Sequence, residues 1–191
     1  MPASPSSLPP VAQVIETLGM GGAEQLAVRF ANALAARGHD SHLVVIESPC
    51  PLRDRVAAGV QLHELGHRRG PVGDPARFLG SIRRGRARLR DLVREAGIGV
   101  MQTHLPGANF WGLLLQWSGI CPVIATIHNN QEFEYGDADN PVRRALRMQA
   151  YRQIIRRCAF TVAVSADVRA SMCAQLGLDP DATSRLRTVT N

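Results

Sequence analysis

Three short stretches hold the groups best suited to polar chemistry: TLGMGGAE (17–24), QTHLPGAN (102–109) and TIHNNQ (126–131). In the first, Gly19, Gly21 and Gly22 follow an apolar run and precede an amphipathic one. Glycines at such a bend let a ligand approach the backbone, and a helix starting behind them aims amide groups at an anion. As a dinucleotide fingerprint the turn fails at one place, because a G-x-G-x-x-G pattern from Gly19 needs glycine where Glu24 stands. Glu47, thirty residues or so downstream, keeps that reading open by offering a ribose-binding acid. A third reading is that the glycines only turn the chain.

His128 closes an apolar run and is followed by Asn129 and Asn130. A neutral imidazole there can accept a hydrogen bond from a hydroxyl or donate one to a phosphate or carbonyl oxygen. The bland alternative is a satisfied structural histidine. His104 stands at a similar strand end, before Leu105-Pro106, where it also reads as a helix-entry residue. Two histidines without a third ligand do not make a zinc site. The chain has no Gly-x-Ser-x-Gly elbow and, with no lysine at all, no Walker lysine.

The elements that position these groups alternate strand with helix. Strands are expected at 11–18, 41–48, 59–66, 97–104, 121–128 and 159–165, with a seventh starting near 185–191. Helical spacing covers 23–37, with Gly38 in the left-handed closing position, then 75–96, 106–117, 141–158 and 167–176. Asp74 and Pro75 open the second of these as cap and first turn, over an expected apolar stripe of Phe78, Ile82, Gly85, Leu89, Leu92 and Ala96. PLRDRVAA (51–58) fits a short helix, and Gly66–Pro75 is too rich in Gly and Pro for regular structure and reads as a mobile loop. The run at 97–104 is apolar enough to be central. Together these predict an α/β domain, a Rossmann-like parallel sheet of about six or seven strands with helices on both faces. Such sheets bind ligands at the carboxyl ends of their strands.

Bulk composition fits one well-buried domain. The chain has 191 residues, 45% of them hydrophobic and 20% charged. Residues 1–10 form a Pro/Ser tail, expected to be disordered, without the basic and apolar regions of a secretory signal. The four cysteines stand far apart and form no CxxC pair; a reducing cytoplasm with Cys121 and Cys158 buried fits them best. All 22 basic residues are arginine, and 13 lie in 77–94 and 143–157. They read either as a phosphate-facing surface or as wet helix faces in an arginine-rich chain.

Taken in order, GMGGAEQLAVRFANALAARGHD, VMQTHLPGANFWGLLLQWSGICPVIATIHN and CAFTVAVSADVRASM resemble the amino-terminal domain of retaining glycosyltransferases of family 4. These enzymes have the GT-B fold, two facing Rossmann-like domains. The likeness runs from Val11 to Asn191. It implies sugar transfer with retention from a nucleotide-sugar to an acceptor hydroxyl on a glycan, a lipid-linked or a small molecule. It implies a donor diphosphate near Gly21 and Gly22, a catalytic role for His128, and acceptor contacts from loops holding His104, Asn129 and Arg147. Ser165 is expected to cap the helix that follows it. No cofactor or metal is implied, and no nucleic-acid partner. Donor-binding residues of the family belong to a carboxy-terminal domain that nothing in 11–191 matches, so the expectation is a half-enzyme, inactive alone. The arginine-rich helices add the expectation of a cytoplasmic protein with possible peripheral contact to an anionic membrane. The rival classes are a non-catalytic Rossmann-like binding module and an NAD-type dinucleotide-binding domain.

Overall fold

The computed structural model of the chain describes residues 8–71, 73–129, 141–179 and 184–190, apart from the side chains of residues 142 and 143. The strands are β1 (Val11–Ile15), β2 (Ser41–Val45), β3 (Val60–Glu64), β4 (Val100–His104), β5 (Val123–Ile127), β6 (Phe160–Ala163) and β7 (Leu186–Thr188). They form a seven-stranded sheet in the order β3-β2-β1-β4-β5-β6-β7, with β4 at its middle as its apolar sequence predicts. The α-helices among the described residues are α1 (Gly22–Ala36), α2 (Pro75–Glu95), α3 (Leu105–Trp117), α4 (Pro141–Arg157) and α5 (Ala166–Leu176). The chain divides into two compact units, one up to Met101 and one from Gln102 onward.

In the first unit β1, β2 and β3 pair in parallel, with Val14 beside Val44 and Val44 beside His63. Every residue of β2 is buried, as a strand covered on both faces requires. α1 packs Ala23, Ala27, Val28 and Ala31 inward; these small side chains at helical spacing let the helix lie close to the strands. Gly38 ends that helix at φ 78°, in the left-handed region glycine tolerates best. The stretch after β2 forms only a 3-10 turn at Arg53–Arg55. Residues 8–10 of the expected tail are described, and the Pro10 carbonyl accepts from the Gly99 amide at 2.9 Å. Residues 1–7 of the expected tail lie outside the described residues.

α2 starts as its cap sequence predicts: the Asp74 carboxylate accepts from the Arg77 amide at 3.0 Å, with Pro75 in the first turn. Its buried ridge differs from the expected stripe. Ser81, Gly85, Leu89 and Val93 are buried, every fourth residue, whereas Phe78, Ile82, Leu92 and Ala96 lie partly exposed beside that ridge. Gly85 and Leu89 of the expected stripe are buried, and Ser81 joins them because it meets the preceding loop. Ser81 Oγ accepts from the Gly70 amide at 2.9 Å, and a side chain on Gly70 would run into the Arg77 carbonyl. The 66–75 segment is irregular, as expected, yet its first half is anchored. Leu65 and His67 amides donate to Val45 and Ile46 carbonyls at 2.9 and 2.8 Å, continuing the β2–β3 ladder.

In the second unit β5, β6 and β7 pair in parallel. α3 lies hard against the strands at Gly112, where a Cβ would come within 2.9 Å of both Thr103 Cγ2 and Val123 Cγ1. α5 is framed by matched ends: Ser165 Oγ accepts from the Val168 amide at 3.1 Å, so that serine is indeed a cap, and Gly177 closes the helix at φ 62°. Cys121 and Cys158 are buried as expected, and so is Cys173. Burial pushes the Cys121 and Cys158 thiols up to about 11 and about 12, which keeps both protonated and inert at neutral pH. No helix among the described residues is long and apolar enough to cross a membrane.

Candidate active site

In the first unit the turn between β1 and α1 holds Gly19, Gly21 and Gly22. Gly21 is the N-cap of α1 with φ −72° and ψ 169°, extended backbone that any residue adopts, and no side chain caps the helix. The backbone therefore does not demand glycine. A Cβ on Gly22 would meet nothing within 4 Å, and one on Gly21 would run first into the Glu24 carboxylate, with Oε2 at 2.5 Å. Both glycines are exposed. The first-turn amides of an α-helix lack intrahelical acceptors, so this end of α1 presents bare donors behind an uncovered backbone. Glu24 brings a negative charge to the turn: its Oε1 lies 3.3 Å from the Cβ position of Gly19. That carboxylate folds back over the turn, complements the helix dipole, and must swing aside before an anion can settle there.

Beyond the turn, Arg69 ties together the ends of β1 and β2. Its guanidinium pairs with Glu16 and lies 3.4 Å from Glu47 Oε1. Glu47, the acid that kept a dinucleotide site open, is thus engaged by an arginine. His67 beside it is buried, and burial together with Arg69, Arg88 and Arg84 holds its pKa below the usual imidazole value. This clamp was not foreseen from sequence. Its one signal was charge alternation, acids ending two neighbouring strands and arginines following the third.

In the second unit the two strand-end histidines meet. His104 Nδ1 lies 3.0 Å from His128 Nε2, and the rings are tilted by 41° with centroids 5.2 Å apart. His104 is fully buried, whereas His128 is partly exposed. Burial, helped by the facing His128, pushes His104 down to about 3. Burial alone pushes His128 down to about 4. Both rings are therefore neutral at pH 7, and a neutral imidazole carries one N–H and one lone pair. His104 is also the N-cap residue of α3, as its place before Leu105-Pro106 suggested, but it makes no side-chain cap bond. Asn129, next to His128, is exposed, and Arg147 is partly buried on α4.

A polar network beneath the pair holds β4, β5 and α3 in register. Thr103 Oγ1 donates to Asn109 Oδ1 at 2.7 Å, and Asn109 Nδ2 donates to the Thr126 carbonyl at 3.0 Å. Gln102 Nε2 donates to Thr126 Oγ1 at 3.0 Å. Asn109 is fully buried, and a buried amide this well satisfied fixes its surroundings. Sequence reading passed over it, although an asparagine inside an otherwise apolar helix was the available clue. Between His104 and that helix Leu105 sits at φ 71°, a left-handed conformation costly for a residue with a bulky side chain.

A doubly wound parallel sheet with these strand-end groups is the architecture of one domain of a GT-B glycosyltransferase. The structure of Anabaena Alr3699/HepE with UDP and glucose superposes with a TM-score of 0.70 at 13% identity, over 96% of this chain and 45% of that one. Sucrose-phosphate synthase from Thermosynechococcus elongatus superposes at 0.67 and 13% identity, over 95% of this chain and 48% of that one. MurG from Acinetobacter baumannii superposes at 0.62 and 12% identity, over 95% and 46%. The chain thus spans less than half the length of these similar proteins. No curated protein matches its sequence. The chain belongs to Glycosyltransferase Family 4, whose sequence profile matches residues 20–191.

Proposed function

We propose that this domain is the acceptor-side half of a retaining glycosyltransferase, which moves a sugar from a nucleotide-sugar to an acceptor hydroxyl and works only against a second, donor-holding lobe. The family match over 20–191 carries the reading. The uncovered backbone at Gly22 supports it, because nothing in the first unit itself fills the space beside that glycine. Similar structures contain UDP and UDP-glucose, which favours a nucleotide-sugar as the donor class.

The chemistry asks for stabilisation of a departing diphosphate and of an oxocarbenium-like sugar. In the first unit, α1 amides behind Gly21 and Gly22 supply neutral donors to the diphosphate once Glu24 has moved. In the second unit, His128 serves as the catalytic group, its neutral ring orienting a hydroxyl or donating to an oxygen that gains charge. Asn129 and Arg147 contribute to the acceptor side. His104, fully buried and 3.0 Å from His128, supports the acceptor side through that ring in this reading. The donor lobe closes the site and excludes water from an easily hydrolysed donor. The exposed arginines of α2 favour a cytoplasmic enzyme that meets an anionic membrane surface.

The test is a transfer assay with a panel of nucleotide-sugars and hydroxyl acceptors, with product configuration read by NMR. The 191-residue chain alone is expected to bind donor weakly and turn nothing over. Fused to the donor lobe of a family member, it should transfer with retention. Robust transfer by the chain alone would sink the half-enzyme reading, and an inverted product would sink retention. Tight NAD binding with no nucleotide-sugar binding would restore the dinucleotide alternative.

A further inference from the structure

We infer that the first unit carries a second anion site, a small cavity between α1 and the loop after β2 in which Arg29 and Arg55 grip one phosphate group, free or carried by a small molecule. The cavity shares no lining residue with the turn at Gly21 and Gly22 proposed for the donor, and it stands or falls without that reading.

The cavity has a volume of about 200 Å³ and is lined by Gln25, Val28, Arg29 and Asn32 of α1 and by Leu52 and Arg55 of the loop. The four helix positions fall at i, i+3, i+4 and i+7, which is one face of α1. Val28 and Leu52 are buried and give the cavity an apolar floor, whereas both arginines are exposed. Sites for drug-sized ligands run to roughly 300–1,000 Å³, so this one takes a small occupant. No carboxylate lines it. Among the described residues neither guanidinium has an ion pair or a hydrogen-bond partner; Arg53, two positions before Arg55, is by contrast matched with Glu64. Two like charges facing one small space repel, and an anion between them reverses that cost. A carboxylate offers two oxygens, which a single guanidinium fork fills. A phosphate offers three or four oxygens and a second charge, enough for forks from both walls.

The walls are fixed before any ligand arrives. Asn32 spans from helix to loop: its Nδ2 donates to the Arg55 carbonyl at 2.9 Å, and its Oδ1 accepts from the Ala57 amide at 2.9 Å. The backbone that carries Arg55 is thereby pinned to the helix that carries Arg29. Both walls are also bonded to the segment between β1 and α1. Gln25 Nε2 donates to the Met20 carbonyl at 3.0 Å, and the Leu52 amide donates to the Leu18 carbonyl at 3.3 Å. These bonds hold the loop on the helix without using either guanidinium, so both cations remain for an occupant. A site whose framework is already tied together loses little conformational freedom on binding.

The experiment titrates the whole chain with inorganic phosphate and with glucose 6-phosphate, glucose serving as the uncharged control, by calorimetry at low salt and by amide NMR shifts. One site is expected, with shifts clustered at Gln25, Arg29, Asn32 and 52–57 and none from glucose. Arg29→Gln and Arg55→Gln alter exposed side chains and should leave the melting curve in place. Each should weaken phosphate binding about ten-fold or more, as loss of a charge-assisted hydrogen bond does. Arg83→Gln, which removes the same charge from an exposed position of α2, should leave binding unchanged. Tighter binding of glucose 6-phosphate than of inorganic phosphate supports the site with an organic monoester as its occupant; equal or weaker binding supports it with free phosphate. Silence from both phosphates would overturn the inference. Equal losses from Arg83→Gln and Arg29→Gln would overturn it as well, since they mean diffuse attraction to an arginine-rich chain. So would binding that survives both cavity variants and disappears in Gly22→Ala, which puts the phosphate at the donor turn.

Discussion

Replacing His104 by asparagine should make the chain markedly less sensitive to acid. An exposed imidazole has a pKa near 6.5, and in the folded chain His104 is held at about 3 by burial and by His128 across 3.0 Å. Between those values the unfolded chain binds the proton and the folded chain does not. Stability must then rise with pH through that window, so it is fully present above about 6.5 and is lost as the pH falls. At pH 4.5 the proton costs the fold about 1.4 kcal/mol for each of two decades, or roughly 3 kcal/mol from this one ring. His128, held at about 4, pulls in the same direction, as do His63 and His67, whose pKa values are also lowered by burial. Asparagine cannot titrate, so His104→Asn removes one share and leaves the others. The assay is urea unfolding at pH 7 and pH 4.5, followed by the fluorescence of Trp111, which is 2% exposed. The parent's loss between the two pH values should exceed the variant's by about 2–3 kcal/mol. Equal losses would mean that His104 takes up its proton in the fold as readily as in water, and the neutral pair would be wrong.

Four other outcomes follow from particular contacts. Gly22→Ala, whose new methyl meets nothing within 4 Å, should change stability by less than about 0.5 kcal/mol while weakening nucleotide-sugar binding several-fold, read by melting and by titration calorimetry. Gly112→Ala should cost about 1–3 kcal/mol in urea unfolding, because its methyl would press within 2.9 Å of Thr103 and Val123. Leu105→Val should cost about 1–2 kcal/mol, since a β-branched side chain suits φ 71° even less, and Leu105→Gly should be near neutral. Chain incubated with anionic liposomes should float with them at low salt and less so at high salt. Changing exposed Arg83, Arg84, Arg86 and Arg88 of α2 to glutamine should abolish that binding, and flotation insensitive to salt would end the membrane reading.

The fold was legible because its signals are local. Runs of β-branched residues, small residues at helical spacing, Asp74-Pro75 and Gly38 each state an element or its end within a few positions, and parallel order follows from their alternation. The expected α2 stripe holds at Gly85 and Leu89 but passes over Ser81, because periodicity counts apolar volume. It cannot see that Ser81 is buried where the Gly70 amide reaches its hydroxyl. The site was only half legible for a related reason. His104 and His128 are 24 residues apart in sequence. Each was noticed singly, but their contact exists only once β4 and α3 are set by Thr103 and Asn109. The Arg69 clamp joins residues 53 positions apart and is invisible to any window.

What glycine does at 21 and 22 separates the readings most sharply. Had the turn needed left-handed backbone, those glycines would be explained by the fold, as Gly38 and Gly177 are at φ 78° and 62°. Had a strand or helix pressed on them, packing would explain them, as it does Gly112. Gly21 has ordinary extended dihedrals, and the space beside Gly22 is open. The proposed diphosphate offers a reason for the missing side chain: a visitor from outside the domain would lie against the bare backbone. At the positive end of α1, that visitor should be an anion. Glu24, folded over the same turn, then acts as its placeholder, and Glu24→Gln should tighten binding of UDP or pyrophosphate. If that variant instead weakens it, the carboxylate is part of the receptor and the turn does not bind a diphosphate through its amides.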